Sequence, residues 1–153
     1  MGAAYFYHLT RSPLERSLPM LLGKAREAGW RVALRGRDPA RLRRLDDLLW
    51  EGAPESFLPH GLWDGPAPQD QPILLLPETA HAANAPDCLM AIDGAQISAA
   101  EVEASARVCI IFDGNDPAAV EAARGQWKAI TKQGATAQYW SEEGGGWEMK
   151  AQS

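Results

Sequence analysis

Short, unbroken apolar runs constrain the fold of this chain more than any other feature. Ile73–Leu76 (ILLL), Cys88–Ile92 (CLMAI) and Val108–Phe112 (VCIIF) contain no polar position on either alternate face. A strand with one wet face alternates apolar and polar side chains. Strands that are apolar throughout are covered on both faces, as in a mostly parallel sheet. Ala4–Leu9, Trp30–Arg35 and Ala135–Trp140 supply three further strand-like runs.

Helical segments fall between these runs. Ser12-Pro13-Leu14-Glu15 reads as an N-cap, a first-turn proline and a capping-box glutamate. Leu14, Leu18, Leu21, Leu22 and Ala25 then form an apolar stripe, and Gly29 is a natural stop. Pro19 predicts either a kink or a regular helix that begins near Leu18, because an interior proline loses a hydrogen bond and clashes with the preceding turn. Asp38-Pro39 opens a second helix with Leu42, Leu45, Leu48 and Leu49 as its buried face. Residues 54–72, rich in Pro and Gly, read as a long irregular surface connection. Ser98-Ala-Ala-Glu101 is a capping box for a short helix before Val108, and the last helix runs from about Asp116-Pro117 to Gly134. Gly144–Gly146 reads as a hairpin tip before Trp147. The alternation predicts an α/β fold class, a three-layer α/β/α sandwich with a mostly parallel sheet and right-handed crossovers. Residues 1–153 are expected to form one domain, with 135–153 as a C-terminal strand or hairpin extension, and the length suffices to close a core.

Composition removes several function classes. A net charge of −5 argues against a surface that grips a nucleic-acid backbone over its whole extent. No stretch is long and apolar enough to cross a bilayer, and MGAAYFYHLTR lacks the basic-then-apolar pattern of an export signal, so a cytoplasmic location with no membrane partner is expected. Cys88 and Cys109 lie in apolar runs and read as buried reduced thiols. The first strand is followed by Thr10-Arg11-Ser12-Pro13, not by a glycine-rich turn, and neither G-x-G-x-x-G nor a phosphate-binding loop occurs. His8, His60 and His81 have no ligand spacing, and there is no nucleophile elbow. No catalytic residue, metal or cofactor is expected.

Two basic patches remain. Arg31, Arg35, Arg37, Arg41, Arg43 and Arg44 either contact phosphates directly or flank an amphipathic helix, with Asp46, Asp47 and Glu51 as local partners, for example Arg43 with Asp47. The helical pairing is favoured, and a direct nucleic-acid-binding module is the alternative function. Arg124, Lys128 and Lys132 recur at i, i+4 and i+8 beside an apolar face of Val120, Ala123, Trp127 and Ile130. Cations bordering a large aromatic suit an acidic peptide that ends in an aromatic residue. They equally suit a solvated face that Glu121 partly neutralises, with Trp127 in the core; spacing alone leaves the two readings level.

A resemblance separates them. Arg44-Leu45-Asp46-Asp47-Leu48-Leu49-Trp50, followed by Glu55-Ser56-Phe57-Leu58-Pro59-His60, resembles the R-L-D-x-x-L-W … E-S-F-[LV]-P-H block of the chi subunit of bacterial DNA polymerase III. Ala4-Tyr5-Phe6-Tyr7 is similar to that family's first strand, and Ala123-Arg124-Gly125-Gln126-Trp127-Lys128-Ala129 to its A-R-x-x-[YW]-K helix, followed by a glycine matching Gly134. The resemblance implies a Rossmann-like fold, no catalysis by the subunit itself, and a place in the replicative polymerase. One surface would hold the psi subunit of the clamp-loader complex. Another would bind the acidic C-terminal tail of single-stranded DNA-binding protein, which ends in phenylalanine, so that DNA is met mostly indirectly. By position it implies Arg124 and Lys128, with Lys132, as carboxylate contacts, Trp127 as the wall for the terminal ring, Phe57 on the psi-facing surface, and Trp50 and His60 as structural support. Where the family often carries an exposed aromatic after Arg124, this chain has Ile130; the following basic position is Thr131, with Lys132 one residue later.

Overall fold

The computed structural model describes residues 2–10, 13–51, 58–142 and 147–152. Along the chain these form β1 (Ala3–Leu9), α1 (Leu14–Glu27), β2 (Val32–Gly36), α2 (Pro39–Trp50), β3 (Gly61–Leu62), β4 (Ile73–Pro77), β5 (Cys88–Ala91), α3 (Ala99–Ala104), β6 (Arg107–Asp113), α4 (Pro117–Lys132), β7 (Thr136–Ser141) and β8 (Glu148–Gln152). Each of the runs expected to be a strand is one. They lie in a single sheet of order β3-β4-β2-β5-β6-β1-β7-β8, in which every pair is parallel except β7 with β8.

The apolar runs behave as their composition requires. Every residue of β4 and β5 is buried, because helices cover both faces of the sheet there. One core layer joins Phe6, Leu89, Val108 and Ile110 of the sheet to Val102 of α3 and Ala123 and Ile130 of α4. The other joins Leu34, Leu75, Met90 and Ile111 to Leu18 and Leu22 of α1 and Leu42 and Leu45 of α2. Cys88 and Cys109 are buried free thiols in this second layer. The hydrogen bond between the Cys109 thiol, as donor, and Cys88, together with burial, raises the Cys109 thiol well above its ordinary value. Toward β1 and β7 the α1 side is finished by aromatic rings instead: Tyr5 stacks on Trp140, and Tyr7 meets Trp147 edge-on.

The helix ends follow their sequence signals. Asp38 and Asp116 accept hydrogen bonds from Ala40 N and Ala118 N at 3.0 Å, with a proline in each first turn. Gly29 and Gly134 take positive φ, and Trp30 N and Ala135 N reach back to the carbonyls of Ala25 and Ile130, as in a Schellman stop. At Ser98 the reciprocal capping box with Glu101 is complete.

Several expectations need correction. α1 begins at Leu14 and carries Pro19 inside it, so there is no late start near Leu18; Ser12 lies outside the described residues. Leu48 is only half-buried, leaving Leu42, Leu45 and Leu49 as the inner face of α2. The 54–72 connection is less irregular than its composition suggests: among its described residues β3 pairs with β4, and a 3-10 turn spans Pro68–Asp70. Its first part, and the Gly144–Gly146 tip, lie outside the described residues, although β7 and β8 do pair antiparallel as a hairpin would.

Arg35 and Glu101 form a two-pronged ion pair, with contacts of 3.1 and 2.6 Å, that ties β2 to α3. The Arg35 guanidinium holds the Glu101 carboxyl below the usual glutamate range, overriding the burial that opposes it. A depressed folded-state pKa gives stability that is present above the unfolded value and lost as pH falls through the folded one. The acid limb of thermal stability, scanned from pH 6 to pH 3, is therefore expected to be shallower in Glu101→Gln, which keeps the capping-box hydrogen bond. An unchanged slope would show that this pair does not contribute to acid sensitivity.

Candidate peptide site on the last helix

Trp127 sits where α4 crosses the sheet. Its ring meets Phe6 edge-on at 5.3 Å and Tyr139 of β7 at 6.3 Å, so it is half-buried with one border at the surface. At 3.6 residues per turn, Arg124 lies roughly 60° around the helix from Trp127, Lys128 about 100° and Lys132 about 140°. Arg124 is thus the cation nearest the indole around the helix, with Lys128 about 40° and Lys132, the last residue of α4, about 80° further round on the same side. All three cations are exposed, and among the described residues none has an acidic partner within ion-pair distance; Glu121 does not neutralise Arg124. Lys132, in the last turn of the helix, is favoured by its dipole.

Tyr139 completes the flank, and sequence reasoning did not single it out. Its hydroxyl hydrogen-bonds His8 Nδ1 at 2.5 Å, and the His8 ring stacks on Phe112 at 5.1 Å. Phe6, Trp127, Tyr139, His8 and Phe112 form one connected aromatic cluster beneath the helix edge. The alternation of β1 was the available signal, since it puts Phe6 and His8 on one face.

Gln126 was also missed. It is buried, its Oε1 accepts from Ile97 N at 3.0 Å, and its Nε2 donates to Ala95 O at 3.2 Å. A glutamine three residues after Ala123 and four before Ile130 must face the core, where it is kept only with both ends satisfied. It clamps α4 to the segment after β5 and so fixes the angle at which Trp127 meets the sheet. Ile130 is buried, so an exposed aromatic at that position is incompatible with this packing. The Thr131 hydroxyl donates back to Trp127 O at 2.8 Å and presents no charge.

The arginine-dense patch is organised differently from its expected helical pairing. Arg43 binds Asp64 at 2.6 Å and lies over Trp63; its partner is not Asp47. Arg35 binds Glu101, Arg37 binds Glu78, and Arg41 bridges Glu15 and Asp93. Arg31 donates to the carbonyls of Asn84 and Gln69. These guanidiniums tie separate segments of the chain together, which i, i+4 spacing within one helix does not reveal.

A crevice of about 720 Å³ opens at the C-terminal ends of β1 and β6, whose following helices pass to opposite faces of the sheet. Such a switch point is where open α/β sheets commonly hold nucleotides. Here Arg41 is occupied by Glu15 and Asp93, Asp116 caps α4, and Asp113 Oδ1 accepts from Asn115 N. The charges lining it are already committed within the protein.

Of the remaining expected residues, Phe57 lies outside the described residues. His60 is buried, with Nδ1 2.6 Å from Leu58 O and Nε2 3.2 Å from both the carbonyl and the carboxylate of Asp46, consistent with support. Trp50 differs: its ring packs on His60 at 4.9 Å, yet the residue is 59% exposed, a large apolar surface at the end of α2.

The fold is that of a doubly wound α/β sandwich, and its last helix carries exposed cations beside a half-buried tryptophan. The model of the DNA polymerase III chi subunit, HolC, matches residues 1–138, and the chain belongs to that family. It is thereby an accessory subunit of DNA polymerase III by family. A comparison with curated proteins finds no match. Among the described residues, no helix is long and apolar enough to cross a membrane.

Proposed function

We propose that this chain is a non-catalytic linker in the replicative polymerase, joining the clamp-loader complex to single-stranded DNA-binding protein by capturing its acidic C-terminal tail. The observation that carries this is the pairing of unneutralised Arg124 and Lys128 with the open border of Trp127 over Tyr139. The carboxylates of the tail meet the two cations, the terminal phenyl ring packs against the indole, and Lys132 adds only longer-range attraction. The psi subunit docks elsewhere, at the end of α2, where Phe57 follows the exposed Trp50.

Calorimetric titration with a peptide of acidic residues ending in phenylalanine tests the tail site. Micromolar affinity, about −8 kcal/mol, is expected, with no detectable binding once the final phenylalanine is removed. Equal binding of the full and shortened peptides would refute the site. Intramolecular pairing of Arg31 to Arg43 is what favours this mode over direct nucleic-acid binding.

A further inference from the structure

The sheet continues past the family match. Matched residues stop at 138, inside β7, while the rest of β7 and all of β8 lie beyond. The antiparallel register sets Ala151 beside Tyr139, Glu148 beside Ser141 and Met149 beside Trp140, with an irregularity at Tyr139/Trp140. Paired residues share a face of the sheet, and successive residues alternate. Tyr139 packs on Phe6 and Trp127 and so faces α4; Trp140 stacks on Tyr5 and faces the other way. Ala151 therefore lies on the α4 side, beside Tyr139.

The outcome is a shelf. The flank of α4 with Arg124, Trp127 and Lys128 is its wall, and β7 with β8 is its floor. Every residue of β8 is exposed, so no helix covers the outer part of this floor. Each strand adds about 4.8 Å of width, and the second strand turns a bare sheet edge into a surface broad enough for one extended peptide. The floor beside Tyr139 is low, because Ala151 is small. Its one acid on that face, Glu148, is held by Lys150 at 2.9 Å, so the floor does not repel an anionic chain, while the wall above it carries unneutralised cations.

We infer that β8 is part of the tail site: the acidic peptide lies along this shelf, its backbone over Ala151, its carboxylates toward Arg124 and Lys128, and its terminal ring against the open border of Trp127 above Tyr139. This rests on the peptide-capture function proposed above and extends it to residues outside the family-matched span. The occupant is set by charge and shape, since a cationic wall over a small-residue floor accepts a thin anionic strand.

The test is fluorescence-polarisation binding of the same labelled acidic peptide to the full chain. Ala151→Trp, which raises a bulky side chain from the floor, is expected to weaken binding at least tenfold. Gln152→Trp, whose residue pairs with Gln138 on the opposite face, is expected to stay within twofold of wild type. Ala151→Glu, a small change on an exposed strand, places a negative charge under the peptide and is expected to weaken binding at least fivefold. It keeps the test decisive should the tryptophan variant fail to melt cooperatively. Wild-type affinity in both Ala151 variants, or equal loss in the Gln152 control, would overturn the role of β8 and leave peptide capture standing. Absence of binding by the wild-type chain would overturn both.

Discussion

Lys128→Glu is expected to weaken binding of an acidic, phenylalanine-ended peptide by about thirtyfold. The estimate follows from charge alone. A unit charge pair about 4 Å apart in a water-like medium is worth about 1 kcal/mol, and reversing one partner changes the interaction by twice that. About 2 kcal/mol corresponds to roughly a factor of thirty in affinity. The variant is not expected to lose its fold, because Lys128 is exposed and the substitution relieves like-charge repulsion with Arg124 one turn away. Lys132→Glu is the internal comparison: directed about 140° from Trp127, it should cost less than fivefold. Wild-type binding should weaken as salt is raised, because the screening length falls from about 10 Å at 0.1 M to about 3 Å at 1 M. The same titration in Lys128→Glu should show a flatter salt dependence. Equal affinities for the wild type and Lys128→Glu would remove α4 as the site.

How far the sequence leads can be seen within α4 itself. Helix limits, the N-cap at Asp116 and the stop at Gly134 are local signals, written in consecutive residues, and the structure follows them. The cationic stripe was equally legible, since helical spacing fixes which residues share a flank. Tyr139 and His8 were not, because they are 131 residues apart and meet only when β1 and β7 pair. The same reason explains the arginines. Arg35 finds Glu101 and Arg43 finds Asp64 across the fold, whereas spacing along α2 offered Asp47. Gln126 lay between the two cases: its place on the inner face was predictable from helical spacing, its partners Ala95 and Ile97 were not. β3 escaped notice, and β8 was expected only as part of a strand or hairpin extension over 135–153, because neither carries a strand's own sequence pattern. β3 is two residues held by a neighbour, and β8 is exposed throughout, with pairing to β7 in place of burial.

Gly114→Ala is expected to be the most damaging conservative change near the site. Gly114 follows β6, and a methyl group on it would fall directly onto the His8 ring and within 2.8 Å of Leu9 O. The ring has nowhere simple to go. Phe112 is stacked on one face at 5.1 Å, and Nδ1 is fixed by the Tyr139 hydroxyl. Overpacking of this kind costs about 2–3 kcal/mol. For a chain of this size that lowers the melting temperature by roughly 5–10 °C. A double-mutant cycle separates the ring clash from the backbone contact. His8→Ala removes the obstacle at the expense of the Tyr139 hydrogen bond, and by itself should cost about 1–2 kcal/mol. In that background Gly114→Ala should cost about 1 kcal/mol, the residue left by Leu9 O, which gives a coupling of about 1–2 kcal/mol. Additive losses would mean that the His8 ring is not what excludes a side chain at Gly114. The cycle also reaches function, because His8 holds Tyr139, and Tyr139 is the floor against which Trp127 rests. Peptide affinity should therefore fall in Gly114→Ala even at temperatures where the variant is fully folded.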